Sequence, residues 1–519
     1  MATDTPTDPP GPPSRPGSAP PPHPDPARVA SLRADLDAAG FTVEGLTELL
    51  GPTAARALRR EQRLPADLAT GQNLSPAATL VRLFALGLPV DPDRLATALP
   101  RLGVAGLTDL GLGAVEGGSV HARCDLRPYA DEQHSWWVAS DLSEIAVRGP
   151  LPDDHVLGIG GASTTLASWT PRPPVTSALD LGTGCGVQAL HLSAHAERVV
   201  ATDVSQRALR YATFNAALAG LDLDLRLGSM LEPVRGERFG LIVSNPPFVI
   251  TPRSPDVPRY EYRDGGLAGD QVVRDLVRNL ADHLEPGGVA QLLGNWELPA
   301  GGDWSARVGD WLDGTGLDAW VIQREVQDPA EYAETWARDG GQRPGTEGFE
   351  RLYAAWLADF AVRDVASIGF GVVTVQRPTT DRAPWRDLVE VLGPVSAPMG
   401  PTVLAGVRAR TWLAEHGDRG VLETAWRCAD DVTEERHGRP GAEDPGVILI
   451  RQGGGLRRAV RADTALAAFV GVCDGGLTAG QALDAIAALL QTSAEAVRAR
   501  ALPQIHELVA DGLLVRPER

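Results

Sequence analysis

Apolar and amphipathic stretches alternate through the middle of the chain. Five short apolar runs are typical of buried strands, and they occupy residues 177–182, 199–203, 223–229, 239–248 and 287–296. Three intervening stretches have apolar residues at helical spacing, and they occupy residues 186–196, 205–220 and 270–284. Strands that alternate with helices form a parallel sheet that is covered on both faces. The pattern therefore predicts an α/β domain with a Rossmann-like sheet.

The region before this domain is mainly helical. Apolar residues recur at helical spacing between Ala27 and Gly40, and a further helix should end at Gly87. Asp91 is the predicted N-cap of the next helix, because its carboxylate can accept backbone N–H bonds. From Val115 the pattern changes to the alternation that is typical of strands. Small helices followed by short strands resemble a winged-helix module with a strand-rich connector.

The C-terminal region repeats this arrangement. Three helices are predicted over residues 464–473, 478–490 and 494–512, and a short strand is predicted over 513–518. This order also resembles a winged helix, although a helical bundle that packs on the central domain would show the same pattern. The predicted segments are a disordered proline-rich tail (1–26), an N-terminal domain (27–150), the α/β domain (151–378) and a C-terminal region (379–519).

The charge of the chain is acidic throughout. The formal net charge is −19, and all 48 basic residues are arginines, which reflects nucleotide bias rather than phosphate recognition. Residues 27–150 contain 12 arginines against 15 acidic residues, and residues 461–519 contain 5 against 7. Neither flank has the basic footprint that a nucleic-acid-binding domain usually shows.

The four cysteines and the apolar runs indicate the cellular compartment of the protein. The cysteines are scattered, without the spacing of a zinc site or a disulfide framework, so we expect no metal. Free thiols suit a reducing cytoplasm. No apolar stretch reaches about twenty residues, so we expect no membrane span, and the N-terminus lacks the pattern of a secretory signal. These features predict a cytoplasmic protein.

A glycine-rich turn follows the first predicted strand, in the stretch Asp180-Leu-Gly-Thr-Gly-Cys-Gly186. Gly182, Gly184 and Gly186 allow positive φ angles and a close approach of the backbone to a ligand. Dinucleotide enzymes also use a glycine-rich turn between a strand and a helix. Here the third glycine comes two positions after the second rather than three, in the order G-x-G-x-G, which favours S-adenosylmethionine over a pyrophosphate. We expect Thr183 to belong to the same cofactor-binding turn.

Asp203 lies at the end of the second predicted strand, 21 positions after Gly182. A carboxylate at this place can accept both hydroxyls of a ribose, as in Rossmann cofactor sites. The alternative is an acidic residue that caps the helix starting at Ser205. The spacing favours the cofactor role.

The fourth predicted strand ends in Asn245-Pro-Pro-Phe248, which we call the NPPF loop. Pro246 and Pro247 have no N–H to donate, so they end the strand and stiffen the loop at the edge where α/β sheets bind ligands. The Asn245 carbonyl can accept one N–H of a target NH₂ group, and the free carbonyl of Pro246 can accept the other. Phe248 offers a flat face to a planar amide or base. The loop therefore predicts methylation of a planar nitrogen.

These motifs together resemble the release-factor glutamine methyltransferases and their relatives among the N6-adenine and N2-guanine RNA methyltransferases. The stretch 260–276 is similar to the glycine-rich segment that follows the corresponding motif in the glutamine enzymes. The resemblance covers about residues 150–300 and implies a class I S-adenosylmethionine-dependent methyltransferase. It assigns Asp180, Gly182, Gly184 and Asp203 to the cofactor and the NPPF loop to catalysis. It also implies that two strands, 318–326 and 368–376, close the sheet as an antiparallel hairpin around inserted helices at 329–362.

The chain departs from this family at two positions. The glutamine enzymes usually have tyrosine where this chain has Phe248, and phenylalanine is commoner in the RNA enzymes. The family often has an aspartate after the third strand to meet the adenine amine, where this chain has Ser229. Either Ser229 takes that role through its side chain or backbone, or adenine is held differently.

Several functions remain open at this point. The leading one is N-methylation of a protein glutamine, in a translation factor for example, because the net charge and the glycine-rich segment favour protein. Phe248 and the two winged-helix-like regions favour an exocyclic amine of RNA or DNA. A small-molecule N-methyltransferase is a third alternative. A binding module that kept the fold but lost catalysis is disfavoured by the intact NPPF loop.

Overall fold

The computed structural model describes residues 19–147, 151–254, 257, 260–441 and 445–517. It divides into two compact units, one made of residues 1–158 with 260–262 and the other of residues 159–259 with 263–519. The second unit contains the predicted sheet.

The first unit begins with helices and continues with two hairpins. Its helices are α1 (Pro26–Ala38), α2 (Val43–Leu58), α3 (Leu64–Gly71), α4 (Pro76–Leu80), α5 (Pro92–Ala98), α6 (Gly103–Asp109) and α7 (Glu144–Val147). Its strands are β1 (Gly113–Glu116), β2 (Ser119–Ala122), β3 (Asp125–Ala130) and β4 (Ser135–Ser140), which pair as β1 with β2 and β3 with β4. The Asp91 carboxylate accepts the backbone N–H groups of Asp93 and Arg94, so the predicted N-cap of α5 is confirmed. The predicted change from helices to strands is also confirmed.

The described part of the proline-rich tail differs from the prediction of a disordered segment. Pro22 is buried beside Gly111, where a Cβ would lie 3.6 Å from the Pro22 Cα. The N–H of His23 donates to the carbonyl of Leu110 at 2.9 Å, and the Asp25 carboxylate caps α1. A proline-rich segment is disordered when it packs against nothing. Here the segment packs against the chain at Leu110 and Gly111, so it is ordered. The rest of the predicted tail lies outside the described residues.

The second unit is built on a sheet of eight strands. They are β5 (Val175–Leu181), β6 (Ala196–Asp203), β7 (Asp224–Leu227), β8 (Phe239–Ser244), β9 (Leu284–Leu298), β10 (Asp318–Gln327), β11 (Ser367–Gln376) and β12 (Arg386–Glu390). Their order in space is β12-β10-β11-β9-β8-β5-β6-β7. Strands β5 to β9 are parallel, whereas β11 runs antiparallel to both β9 and β10. The predicted α/β sheet and its antiparallel closing hairpin are therefore confirmed.

Side chains of the central strands alternate between two hydrophobic cores. On β5, Leu179 and Leu181 face one core and Ala178 faces the other. On β8, Ile242 and Val243 are likewise divided between the two. The helices of this part are α8 (Gly161–Trp169), α9 (Val187–Leu192), α10 (Gln206–Ala219), α11 (Gln271–Asn279) and α12 (Trp304–Leu312). A sheet buried on both faces has near-continuous apolar strands, and for this reason the apolar runs in the sequence predict the strands.

The chain between β10 and β11 forms two helices, α13 (Pro329–Asp339) and α14 (Glu347–Val362). They correspond to the helical insertion expected around 329–362. After β11, strand β12 joins the sheet in parallel with β10, which places the last strand of the sheet beyond residue 378. This short strand has no clear alternation of apolar residues, and only its pairing with β10 marks it as part of the sheet.

The C-terminal region belongs to the same compact unit as the sheet. Its helices are α15 (Gly400–Glu423), α16 (Thr464–Gly471), α17 (Ala479–Leu489) and α18 (Ala494–Ala510). Its strands are β13 (Arg427–Cys428), β14 (Val432–His437), β15 (Val447–Gln452), β16 (Ala459–Ala462) and β17 (Leu514–Val515). Helix α15 packs against α8 on one side and against α17 and α18 on the other. The three predicted helices and the terminal strand are present, and α17 and α18 pack against α15, which in turn contacts α8.

Candidate functional site

The glycine-rich turn connects the end of β5 to α9 in a backbone conformation that requires glycine. The φ angles of Gly182, Gly184 and Gly186 are +75°, +56° and +93°. A Cβ on Gly186 would lie 3.4 Å from Ala212 of α10, whereas a Cβ on Gly184 would meet no atom within 4 Å. The turn is therefore closely packed at Gly186 and open at Gly184. An open turn of left-handed residues at a helix start suits the close approach of a ligand.

Asp180 is buried beneath this turn. One of its carboxylate oxygens accepts the Thr183 hydroxyl at 2.5 Å and the N–H of Ala189 at 2.9 Å. Its other oxygen is buried and has no hydrogen-bond partner in the described part of the chain. Burial raises the pKa of Asp180 to about 7, although the bonds from Thr183 and Ala189 act in the opposite direction. Asp180 thus fixes the turn from beneath with one oxygen, and its other oxygen has no partner among the described residues.

The burial of Asp180 predicts a pH dependence of stability. Its pKa in the folded chain lies above the unfolded value, so the folded state holds an extra proton between about pH 4 and pH 7. The contribution of this group to stability therefore falls as the pH rises through that window. Asp180→Asn keeps an oxygen acceptor for Ala189 but cannot ionise.

We expect the stability of Asp180→Asn relative to the parental chain to rise between about pH 4 and about pH 7 and then to level off. Urea denaturation at several pH values measures this difference. A difference that stays constant over the whole range would contradict the assignment.

Asp203 ends β6 and holds the glycine-rich turn from the other side. Its Oδ2 accepts the N–H of Gly184 at 2.8 Å, and its Oδ1 accepts the N–H of Ser205 at 2.8 Å. Burial raises the pKa of Asp203, and the backbone bonds from Ser205 and Gly184 oppose that rise. The hydroxyl of Ser205, rather than Asp203, caps α10 by accepting the N–H of Ala208. Asp203 is thus placed beside the open glycine, as a ribose-binding carboxylate would be.

The ends of three neighbouring strands bring these motifs together. Leu181 of β5 pairs in register with Thr202 of β6 and with Ser244 of β8. The next residue on each strand is therefore Gly182, Asp203 or Asn245, all at one edge of the sheet. The main-chain oxygen of Asn245 lies 3.9 Å from the position of a Cβ on Gly182. The expected cofactor turn and the expected catalytic loop are neighbours.

The side chain of Asn245 has an oxygen without a partner in the parts of the chain that the structure describes. Its Oδ1 is buried and has no hydrogen-bond partner among the described residues. The preceding Ser244 hydroxyl donates to the carbonyl of Leu181 at 2.8 Å, which ties the loop to the end of β5. A buried polar atom without a partner costs free energy, so such an atom at a sheet edge indicates a place for a ligand or water.

The sequence predicts a free carbonyl at Pro246, but this carbonyl already has a hydrogen-bond partner. It accepts the N–H of Phe248 at 2.7 Å, which closes a tight turn within the loop. Two consecutive prolines stop the β8 ladder, and the next available N–H then turns back onto this carbonyl. A carbonyl oxygen has two lone pairs, so one remains for a target N–H. Pro247 occupies the corner of this turn and is half-buried.

Phe248 is half-buried at the end of the loop. Its ring meets the edge of the Trp336 ring, with centroids 6.2 Å apart and an interplanar angle of 75°. Its backbone forms an antiparallel bridge with Asp264, which lies in the glycine-rich segment after the loop. The orientation of Phe248 is therefore set by packing, as a stacking surface requires.

Ser229 is exposed after β7 and sits in an unusual backbone segment. The preceding Gly228 has a φ of +152° and the following Met230 a φ of +47°. The carbonyl of Ser229 accepts the N–H of Glu232 at 3.0 Å. Its proposed role towards adenine stays a prediction.

The residues at this edge fit S-adenosylmethionine. The cofactor carries positive charge and a ribose, and the edge offers the unpaired Asp180 oxygen, the Asp203 carboxylate and the open backbone at Gly184. In the parts of the chain that the structure covers, no group of three or more histidine, cysteine or acidic residues could hold a metal ion. No helix within those parts is long and apolar enough to span a membrane.

We expect Asp203→Ala to weaken the binding of S-adenosylmethionine. The substitution removes the acceptor for the N–H of Gly184 and the predicted acceptor for two ribose hydroxyls, a loss of about 1–3 kcal/mol. Isothermal titration calorimetry measures the change, with the exposed Asp222→Ala as a matched control. Equal affinity in Asp203→Ala and the parental chain would show that the ribose is held elsewhere.

The sequence did not indicate what the inserted helices contact. Tyr332 of α13 and Trp356 of α14 each make a hydrogen bond to Ile250, two residues after the NPPF loop. The insertion contains many aromatic residues, and an insertion exposed on the surface does not need them. Their number was the sequence signal that these helices pack against another part of the chain. The aromatic residues are Tyr332, Trp336, Phe349, Tyr353, Trp356 and Phe360.

Two segments of the chain match known family models. Residues 158–302 match the Methyltransferase small domain, and residues 38–123 match a Domain of unknown function (DUF7059). The first match covers the glycine-rich turn, Asp203 and the NPPF loop. The central domain is therefore a methyltransferase domain, as the sequence resemblance predicted.

The similar curated proteins include glutamine and RNA methyltransferases. The release factor glutamine methyltransferase of Deinococcus radiodurans is 42% identical over 126 residues, which cover 22% of this chain and 44% of that protein. The ribosomal protein uL3 glutamine methyltransferase of Bradyrhizobium diazoefficiens is 34% identical over 151 residues, which cover 27% and 46%. The ribosomal RNA small subunit methyltransferase C of Salmonella newport is 28% identical over 187 residues, which cover 35% and 49%. The chain spans about half the length of these relatives.

Solved structures share less with this chain. The ribosomal protein L11 methylase of Lactobacillus delbrueckii is 19% identical and has a TM-score of 0.25, with 43% of this chain and 81% of that chain covered. A similarity of this size supports no inference about function. The sequence relatives confirm the predicted resemblance and with it the class of S-adenosylmethionine-dependent methyltransferases for the central domain.

Proposed function

We propose that this chain transfers a methyl group to the side-chain amide nitrogen of a protein glutamine at the NPPF loop. The observation that carries the proposal is the buried, unpartnered Oδ1 of Asn245, one strand away from the glycine-rich turn. S-adenosylmethionine supplies a methyl group that its positive sulfur already activates. The chain therefore has mainly to hold the nitrogen in the right place.

The loop offers two acceptors and a flat surface to an amide group. The Asn245 Oδ1 accepts one N–H of the target NH₂, and the second lone pair of the Pro246 carbonyl accepts the other. With both N–H bonds held, the nitrogen is drawn towards tetrahedral geometry and its lone pair can point at the methyl carbon. The Phe248 ring supports the amide plane. The methylated nitrogen is acidic enough to lose a proton to water, so the site needs no strong base.

Electrostatics favour a protein acceptor over a nucleic acid. The whole chain has a net charge of −19, and the inserted residues 329–362 beside the loop contain six acidic residues against three arginines. Negative charge repels phosphates and attracts basic polypeptides. Two of the similar proteins are named as glutamine methyltransferases, one of ribosomal protein uL3 and one of a release factor. A component of the translation machinery in the cytoplasm is therefore the proposed acceptor.

The second candidate is an exocyclic amine of ribosomal RNA. The observation in its favour is the similarity to ribosomal RNA small subunit methyltransferase C. An adenine or guanine NH₂ presents the same two N–H groups to Asn245 and Pro246. The first unit has no excess of positive charge that would bind phosphates, with 12 arginines against 15 acidic residues in 27–150.

A labelling experiment distinguishes the two candidates. The purified chain is incubated with methyl-labelled S-adenosylmethionine and, separately, with unmethylated release factor, ribosomal protein uL3 and ribosomal RNA. We expect label in at least one of the proteins and none in the RNA. Label only in the RNA would establish the second candidate, and label in none of the three would contradict both.

A further inference from the structure

Ile250 lies two residues after Phe248, and both of its backbone polar groups are held by side chains. Its N–H donates to the hydroxyl of Tyr332 at 2.8 Å. Its carbonyl accepts the indole N–H of Trp356 at 2.8 Å. All three residues are buried. A segment that leaves a strand usually satisfies its backbone with water or neighbouring backbone, so this double contact from side chains is specific to the position.

The two side chains belong to different helices of the insertion, Tyr332 to α13 and Trp356 to α14. A hydrophobic core joins these helices to the segment after the NPPF loop. Its members are Val249, Ile250, Val257, Tyr332, Ala333, Ala337, Phe349, Leu352, Trp356, Phe360, Val365 and Ile368. The insertion therefore covers the backbone that leaves the loop rather than projecting into solvent.

A second contact fixes the neighbouring residue. The N–H of Val249 donates to the carbonyl of Arg263 at 3.0 Å. The Arg263 guanidinium in turn donates to the carbonyl of Trp336 at 3.0 Å and to the carboxylate of Asp339 at 2.6 Å. Because Trp336 also packs against Phe248 and Tyr332 bonds to Ile250, helix α13 contacts the chain on both sides of Val249.

The Tyr332 hydroxyl also connects the loop to the sheet. It lies 2.8 Å from the side-chain amide of Asn295 on β9, the strand next to β8. Burial raises the pKa of Tyr332 well above its ordinary value, so the hydroxyl stays protonated at any physiological pH. One hydroxyl thus joins the insertion, the segment after the loop and the central sheet.

We propose that Tyr332 and Trp356 are positioning residues that hold the NPPF loop in its reactive geometry before the acceptor binds. This inference rests on the proposed methyl transfer at that loop. Methyl transfer is sensitive to the alignment of nitrogen and methyl carbon, and a displacement of about 1 Å can cost about a hundredfold in rate. Both side chains are fully buried and contact the backbone of Ile250, so each acts on the loop through that backbone.

Tyr332→Phe tests the proposal with the smallest change, because it removes only the hydroxyl. Hydrogen exchange, read by mass spectrometry on peptides that contain residue 250, should be at least about tenfold faster in the variant. With the acceptor protein identified by labelling, kcat should fall at least about tenfold while KM changes little. The dissociation constant of S-adenosylmethionine should stay within about twofold of the parental value.

Tyr353→Phe is the matched control. Tyr353 lies on α14, stacks on Phe349, and its hydroxyl makes no hydrogen bond to the described residues. In Tyr353→Phe, hydrogen exchange at residue 250 and the rate of methyl transfer should equal those of the parental chain.

Trp356→Phe is the second test. It keeps an aromatic ring and removes the hydrogen bond from the indole N–H to the Ile250 carbonyl. We expect it to reproduce the changes seen in Tyr332→Phe.

Two results would overturn the proposal. One is a parental kcat in both Tyr332→Phe and Trp356→Phe despite faster exchange at residue 250. The other is unchanged exchange in both variants, which would show that the loop is held elsewhere. If the parental chain methylates no acceptor, the proposed function fails, and the exchange data still decide whether these side chains hold the loop.

Discussion

Asn245→Ala should slow methyl transfer at least about a hundredfold, a cost of about 2.7 kcal/mol in the barrier. The Asn245 Oδ1 has no partner within the described chain, so its contribution arises only when a target N–H is present. An interaction made mainly in the transition state affects the rate more than the affinity for the donor. S-adenosylmethionine should therefore bind nearly as tightly to the variant as to the parental chain. Single-turnover kinetics and calorimetry measure the two effects separately.

Asn245→Asp sharpens this test, because a carboxylate is still a hydrogen-bond acceptor. We expect it to retain part of the activity that Asn245→Ala loses. Asn279→Ala, an exposed asparagine on α11, is the matched control and should react at the parental rate. If both variants at position 245 transferred methyl at the parental rate, the NPPF loop would be only a structural turn.

Arg410→Ala should cause the largest loss of stability. The Arg410 guanidinium is buried between α15, the sheet edge and the end of α18. It donates to Asp387 on β12 at 2.7 Å and to Asp511 at 2.8 Å, and it lies 3.7 Å above the ring of Trp320 on β10. Asp511 keeps its ion pair with Arg458 in the variant, but Asp387 loses its partner, so the cost lies near the lower end of the about 3–5 kcal/mol of a broken buried ion pair. Urea denaturation should show this decrease in the free energy of unfolding.

Arg419→Ala, on the same helix, is the control for this prediction. Arg419 pairs with Glu423 one turn later, and both side chains are largely exposed to solvent. Exposed pairs of this kind contribute little, so this variant should unfold at nearly the parental denaturant concentration. Equal effects of the two substitutions would mean that the C-terminal region is not anchored to the sheet through Arg410.

The sheet and the position of the candidate site could be predicted from the sequence because their signals are local. Apolar runs such as 239–244 are readable wherever a strand is buried on both faces. Gly184 and Asn245 follow directly after such runs, and parallel strands end at the same edge. The same reasoning placed Asp203 beside the glycine-rich turn, which the hydrogen bond to Gly184 supports.

The remaining features depend on contacts that are distant in sequence. The hydrogen bond inside the NPPF loop uses an N–H that the sequence does not assign. The contacts of Tyr332 and Trp356 with Ile250 span 82 and 106 residues. Strand β12 is defined by its pairing with β10, and Pro22 is buried because it packs beside Gly111. Composition and periodicity describe each segment alone and cannot show such partners.

The most direct test of the proposed chemistry is to locate the transferred methyl group. After reaction of the parental chain with its labelled acceptor protein, fragmentation mass spectrometry identifies the modified residue and atom. We predict a methyl group on the side-chain nitrogen of a glutamine, formed at least about a hundredfold more slowly by Asn245→Ala. A methyl group on an oxygen, a carbon or a basic side chain, or one formed equally fast by Asn245→Ala, would contradict amide methylation at the NPPF loop.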